Sequence, residues 1–487
     1  MPPETAENGL LAAWAATLAH QENRPAILDV RGETLRTFGD IEAESLELQR
    51  LLEGIEVRSV VAMRMGNRPC WPGLLLALFR RGLIPLPIGQ HVEGAELAAV
   101  LETCGVRALV EAETGGIRIN PQSAEAAAYE TSGGRKLGEP IRNPQTPNAE
   151  FLKLTSGTTT TPRAVRFRAA HLVADAEQIC ATMGIGPDDL NFGVIPFSHS
   201  YGFSNLLTPL ICRGVPLVAS EERLPRAILD GLAASGATVF PGIPVFFQKL
   251  AELQNVPALP RLRLCLSAGA PLSQTVGERF TERFGRKIHP FYGSSECGGI
   301  AYDASEEKDC ADGFVGTAMA GVSVAPLDDG RIAIRSAAVG DGYFPDADDA
   351  ALRAGCFTPG DLVEWSGRGM TIVGRVSEVI NVAGRKLSPA LVERCLLEVF
   401  GVRQAVVFGV PCAQRGEEAI ACVVGEGIDA AGVLRFCHER LSGWQIPRDV
   451  WIVTEIAANE RGKISRRQLA ARYLAERDKK AVISTGA

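Results

Sequence analysis

For all its twelve cysteines, the 487-residue chain has no C-x-x-C pair and no cysteine–histidine cluster at zinc-ligand spacing. That excludes a cysteine-ligated zinc site and leaves the thiols, from Cys70 to Cys437, as buried or incidental groups of a reducing compartment. An excess of basic charge is also missing. The net charge is −7 and the isoelectric point about 5.6, so neither nucleic acid nor an anionic membrane surface is expected as the main partner. Any phosphate must be held by a local site. Long apolar runs are lacking too: Trp71 to Phe79 is closed by Arg80 and Arg81, roughly half of the ~20 residues a membrane span needs. The amino terminus places Glu4 and Glu7 before the apolar Leu10 to Leu18, without the basic leader of a secretory signal, and a cytoplasmic location is expected. There is no internal repeat and no low-complexity tract.

What is present, 46% hydrophobic and 22% charged residues, is the make-up of a globular protein too long for one core, so at least two domains are expected. Pro25 to Val30 and Ser59 to Met65 look like buried strands, with Ile41, Leu46, Leu48, Leu51 and Leu52 at helical spacing between them. The rhythm returns as a strand at Leu262 to Leu266, a helix over Gln274 to Phe284 and a strand at Lys287 to Phe291. An α/β class with mixed and parallel sheets follows. Asn120 to Asn148 reads as a loop-rich connection. Past a strand at Met370 to Val373, short strands (Gln404 to Val410, Ala419 to Val424, Val450 to Ile456) surround a helix over Ala430 to Leu441, a small α+β domain. The boundary is set between residues 374 and 375, dividing the chain into 1–374 and 375–487.

Five segments carry chemistry. Thr155, Ser156, Gly157, Thr158, Thr159, Thr160 and Thr161 precede Pro162 and Arg163. Small residues let backbone N–H groups converge on an anion, hydroxyls add donors and the arginine offsets charge. A solvated Ser/Thr linker is the plain alternative. The spacing is not that of a Walker loop. In Phe291-Tyr292-Gly293-Ser294-Ser295-Glu296 the tyrosine can stack on a purine, Ser295 can donate to a phosphate and Glu296 can hold Mg²⁺. Asp361, after Thr358-Pro359-Gly360, can accept from both hydroxyls of a ribose, and Arg375 after Gly374 can donate to that sugar or its phosphate. Gly462-Lys463 can bring one cation to an α-phosphate. Each of the last four is weak alone, because such turns are common on surfaces.

Their order is specific, and over Phe151 to Leu469 the chain resembles the adenylate-forming superfamily of acyl-CoA synthetases, adenylation domains and luciferases. The resemblance implies a large amino-terminal domain and a small mobile carboxyl-terminal domain hinged near Ser377. It assigns the nucleotide to the segment Thr155 to Thr160 with Arg163, to Gly269, Ala270 and Pro271, to Tyr292 to Ser295, and to Asp361 and Arg375. Lys463, Glu296 (through Mg²⁺) and His199 become catalytic. His199, Phe203, Ser267, Ala268, Gly298 and Gly299 become the acyl pocket, the two glycines leaving room for an extended or ring-bearing tail. Ala383, Gly384, Arg385 and Lys386 become the loop that meets the thiol acceptor. ATP, Mg²⁺ and CoA follow as cofactor and co-substrates.

The chain departs from the family pattern where Thr160 replaces a glycine, Arg163 a lysine and Ser377 the usual hinge aspartate or lysine; Asn381 also stands where many relatives have lysine. Arginine keeps the charge with altered geometry, whereas a threonine at a position needing positive φ would slow loop closure. The stretch Phe197 to Tyr201 contains no acid to pair with a substrate ammonium. The expected substrate is therefore a fatty or aromatic carboxylic acid without an α-amine. Three alternatives stay open: delivery to the phosphopantetheine of an acyl or peptidyl carrier protein, a degenerate non-catalytic binder, and an acyltransferase built on His171 and Asp175.

Overall fold

The computed structural model describes residues 9–113, 116–122, 149–155, 162–307, 311–345, 349–353, 355–412, 414, 416–457 and 464–485. The β-α alternation produces a large mixed sheet. Six strands, Pro25–Leu28, Leu217–Ala219, Asn191–Gly193, Val239–Gly242, Leu264–Ser267 and Ile288–Ser294, lie side by side, each parallel to the next. The sheet continues antiparallel through Gly298–Tyr302, Phe314–Ala318, Gly369–Arg375 and Asp361–Ser366. Every residue of Val239–Gly242 and Leu264–Ser267 is buried, as expected for parallel strands covered on both faces. Part of that cover is the helix Gln274–Phe284, bounded as its sequence predicts: Ser273 accepts from Val276 N at the start and Gly285 closes the end at φ 65°. Phe247 couples it to the sheet, 5.2 Å from Phe240 and 5.1 Å from Phe280.

Three smaller sheets complete the large part. One contains Ile84–Pro87, Val60–Arg64, Val106–Glu113 and Gly116–Pro121; a second contains Phe151–Leu154, Ala164–Phe167 and Gly342–Phe344; a third contains Val322–Pro326, Ile332–Ser336, Cys356–Phe357 and Leu352–Arg353. The segment expected to be loop-rich begins within the last two residues of Gly116–Pro121, the second arm of the Val106–Glu113 hairpin; its residues 123–148 lie outside the described ones.

After Gly369–Arg375 the chain makes one 3₁₀ turn, Val376–Glu378, which contains Ser377, and enters the small α+β part. Its central strand Gly416–Gly425 shows how a two-residue period builds two cores. Ala419, Ala421 and Val423 pack with Val392, Leu396 and Val433 on one side. Ile420, Cys422 and Val424 pack with Leu469 and Tyr473 on the other.

The large sheet also buries an ion pair. Lys287 Nζ lies 2.7 Å from Asp303 Oδ2, with side chains only 6% and 3% exposed. Burial alone would raise the Asp303 pKa, but Lys287 and the Ser305 hydroxyl and N–H outweigh it and hold the carboxyl below its ordinary value. A carboxyl depressed in the folded state contributes stability above about pH 4 that is lost as pH falls through the folded pKa. Lys287→Met is therefore expected to cost about 3–5 kcal/mol near neutral pH, because it leaves a buried charge unpaired. Urea unfolding at pH 7 and at pH 3 checks this: the difference between variant and native protein should shrink at the lower pH.

Candidate active site

The motif around Tyr292 is a β-hairpin rather than the end of one strand. Tyr292 pairs with Ala301, Gly293 with Gly299 and Ser294 with Gly298, so Ser295, Glu296 and Cys297 form the turn. The strand expected to stop at Phe291 runs to Ser294 because Gly293 permits close approach; a Cβ there would stand 2.8 Å from Gly298 O. Ser294 Oγ accepts from Glu296 N at 3.2 Å and tightens the turn.

Asp361 and Arg375 open and close two paired antiparallel strands and face each other in register. Arg375 Nε donates to Asp361 Oδ1 at 2.5 Å, and Tyr292 OH donates to Oδ2 at 2.7 Å. Asp361 is 5% exposed. Burial and the adjacent carboxylate push the Tyr292 pKa well above 10, so the phenol remains a donor. Three residues separated by up to 83 positions thereby share one carboxylate. Each carboxylate oxygen can accept a second hydrogen bond, which leaves capacity for a diol.

Glu296 is tied to the hydroxyl-rich segment by Tyr343, which sequence reasoning missed. Tyr343 OH donates to Glu296 Oε1 at 3.1 Å. The Arg163 guanidinium lies 3.9 Å from the centroid of the same ring and 3.2 Å from Asp349. Tyr343 comes from Gly342–Phe344, which pairs with Ala164–Phe167. Thr155 N and Oγ1 donate to Arg163 O at 2.9 and 3.1 Å, closing the base of the loop. Residues 156–161 (Ser156, Gly157, Thr158, Thr159, Thr160 and Thr161) lie outside the described residues, as does Lys463.

A cavity of about 670 Å³ opens beside these groups and is lined by Leu154, His199, Gly269 and Ser295 among others. Ser200 Oγ donates to Ser295 Oγ at 2.8 Å, joining the His199 loop to the Glu296 hairpin. His199 Nδ1 accepts from Tyr201 N at 3.2 Å, which puts the ring proton of a neutral imidazole on Nε2. Gly269 turns at φ +86°, with Ala270 half-buried and Pro271 exposed beside it. Ala268 is buried, and the neighbouring Ser267 Oγ is buried with no hydrogen-bond partner among the described residues. An orphaned hydroxyl in that loop fits a site that receives a polar ligand.

Other expected site residues stand elsewhere. Phe203 is a core ring, 4.6 Å from Phe151. Gly298 and Gly299 do not leave room for a substrate tail. A Cβ at Gly298 would sit 2.0 Å from Asp175 Oδ1, and one at Gly299 2.7 Å from Met319 Sδ. Asp175 fills that space because it is a buried anchor, accepting from Gly299 N at 3.0 Å and Ser204 Oγ at 2.5 Å. Ser204 also accepts from Lys153 at 3.4 Å. His171 caps its own helix through Nδ1, which accepts from Arg168 N, so His171 and Asp175 serve different partners. Ala383 and Gly384, at φ 51° and 81°, form the tight turn between Ile380–Val382 and Arg385–Leu387. Arg385 and Lys386, the first two residues of the strand after it, are exposed, with the Arg385 guanidinium 5.5 Å from the Trp444 ring centroid.

Known proteins resemble this chain in sequence and in fold. The family described as AMP-binding enzyme matches residues 14–344, and that described as AMP-binding enzyme C-terminal domain matches residues 391–463. A probable CoA ligase of Humulus lupulus is 31% identical over 344 residues, covering 66% of this chain and 66% of the relative. A feruloyl-CoA synthase of an Amycolatopsis species is 26% identical over 500 residues, covering 95% and 99%. ATP-bound MatB from Rhodopseudomonas palustris superposes with a TM-score of 0.81 at 22% identity, over 95% of this chain and 98% of that one. The o-succinylbenzoate CoA synthetase of Bacillus subtilis, in complex with its acyl-adenylate intermediate, gives a TM-score of 0.78 at 21% identity, over 94% and 97%. With both parts of its chain matched in order, this protein belongs to the AMP-binding enzyme family.

Proposed function

We propose that the protein is an acid–thiol ligase that activates a carboxylic acid with ATP as an acyl-adenylate and passes the acyl group to CoA. The observation that carries the reading is the convergence of Tyr292 and Arg375 on Asp361 at the start of the Tyr292–Glu296 hairpin, and of Tyr343, with Arg163 against its ring, on Glu296 at the turn. The relatives named as CoA ligase and feruloyl-CoA synthase support the same chemistry.

Two anions must meet for that chemistry, a carboxylate and the α-phosphate of ATP. The acid oxygen bonds to the α-phosphorus, the bond to the β-phosphate oxygen breaks and pyrophosphate leaves. Asp361 would hold the ribose, Arg163 and the loop from Thr155 would meet the phosphates, and the His199 Nε2 proton would orient the acid. Glu296 is a single carboxylate beside the expected phosphates, which suits Mg²⁺, an ion usually held by one or two carboxylates plus phosphate oxygens; when bound, it offsets charge on the phosphates. Lys463 would add a point charge at the α-phosphate. A thiolate then displaces AMP at the acyl carbonyl, after residues 375–487 turn about Ser377 and bring the turn Ala383 to Lys386 to the site. The Phe197 to Tyr201 stretch offers no carboxylate for an ammonium, so the acid is fatty or aromatic without an α-amine. Burial pushes the Cys104 thiol up to about 12 and Cys70 up to about 11, which makes them poor nucleophiles, and the cytoplasm remains the proposed location. No helix of the described residues is long and apolar enough to cross a membrane.

The test is pyrophosphate release across a panel of carboxylic acids, followed by discharge of the adenylate with CoA or with a holo carrier protein in separate reactions. Acid-dependent release with CoA discharge is expected; discharge only by the carrier would change the acceptor, and no release with any acid would remove the reading. Lys463→Ala should slow the first step about 10²–10³-fold, the cost of losing one preorganised donor. Asp361→Asn should weaken ATP binding about tenfold or more in calorimetric titration, since it removes an anionic acceptor from a buried site.

A further inference from the structure

Asn67 stands at the wall of the cavity and is spent entirely on the backbone of the His199 loop and its neighbours. It follows the strand Val60–Arg64 by a turn in which Gly66 adopts φ +64°. That left-handed conformation favours glycine and turns the next side chain toward the sheet. Asn67 is 6% exposed. Its Nδ2 faces three carbonyls, Gly193 O at 2.9 Å, Ile195 O at 3.0 Å and Ser220 O at 3.1 Å. Its Oδ1 accepts from Phe197 N at 2.8 Å. Those partners fix which end of the amide is which, because three acceptors must face the NH₂ and a donor must face the oxygen.

The segment gripped in this way leads straight to His199. Phe197 is two residues before it, and His199 N donates to Pro196 O at 3.0 Å. On the far side the loop is cinched at Gly202, where a Cβ would lie 2.1 Å from Pro196 O. Between these two points the backbone that carries the imidazole has little freedom. Both amide hydrogens are taken by carbonyls, and the one acceptor site left on Oδ1 cannot pair with an acceptor-only carboxylate, so any effect on the acid must pass through the loop.

We propose that Asn67 is a positioning residue for the carboxylic acid: by clamping Gly193, Ile195 and Phe197 it sets where the His199 Nε2 proton stands. The inference rests on the adenylation reading above and on His199 as the group that meets the acid. Neither the Tyr292–Asp361–Arg375 group nor Arg163 bonds to Asn67, so the nucleotide side should be spared.

The experiment measures pyrophosphate release in the native protein, Asn67→Ala, Asn67→Ser, His199→Ala and the Asn67→Ala/His199→Ala double variant, with KM for acid and ATP taken separately and thermal unfolding recorded. Asn67→Ala should raise the acid KM at least about tenfold and leave the ATP KM within about twofold, the loss expected when buried hydrogen bonds that orient a contact are removed. The double variant should be no worse than the worse single, since both changes act on one contact. Additive losses, or equal rises in both KM values, would overturn the proposal. If Asn67→Ala does not fold, Asn67→Ser carries the same comparison; if neither folds, Asn67 is a stability residue and the proposal fails. A native protein that releases no pyrophosphate with any acid removes the adenylation reading, and this inference with it. An active native protein with additive variants removes the inference alone.

Discussion

One carboxylate, 5% exposed, organises the nucleotide side of the molecule: Asp361 is buried with both Tyr292 and Arg375 donating to it. A buried charge without such donors would neutralise or unfold its surroundings. Satisfying it ties the Gly369–Arg375 and Asp361–Ser366 strand pair to the hairpin that carries Glu296. Through Tyr343, the same hairpin reaches the base of the hydroxyl-rich loop at Thr155 and Arg163. The candidate site is therefore a set of paired strand ends cross-linked by charge-assisted hydrogen bonds, and such cross-links fix geometry as well as adding stability.

Behind this layer lies a second one that the proposed reaction does not use directly. Lys153, fully inside the protein between the rings of Phe167 and Phe203, has its pKa lowered by burial while Asp175 opposes the shift. Ser204 bridges the two, and Asp175 holds the backbone just beyond Glu296. Lys153 sits in the strand that enters the loop at Thr155, so a buried polar bridge joins two segments that meet the nucleotide in the proposed reading. Core polar groups of this kind cost desolvation and are tolerated when every member finds a partner.

Much of this was legible in sequence because it depends on local pattern. The helix Gln274–Phe284 follows from the strand–helix alternation, and its bounds rest on Ser273 and Gly285 at its two ends. The αβ rhythm, the ordered motifs and the acidic and basic residues of the site depend on residue type and order alone. What was not legible depends on distant partners. Tyr343 looks like any strand aromatic until its strand pairs with Ala164–Phe167, and Asn67 looks like a turn residue until three carbonyls are seen around its amide. Gly298 and Gly299 misled for the same reason. Glycine announces missing bulk, but only the fold shows that Asp175 and Met319, rather than a substrate, occupy the space.

The most direct measurement is a crystal structure with a non-hydrolysable acyl-adenylate mimic. The account predicts ribose hydroxyls within about 3 Å of the Asp361 carboxylate and the phosphate-like linker against the Ser295–Glu296 turn, with the acyl group entering the cavity beside His199. A mimic bound elsewhere, or bound here with its ribose away from Asp361, would contradict it.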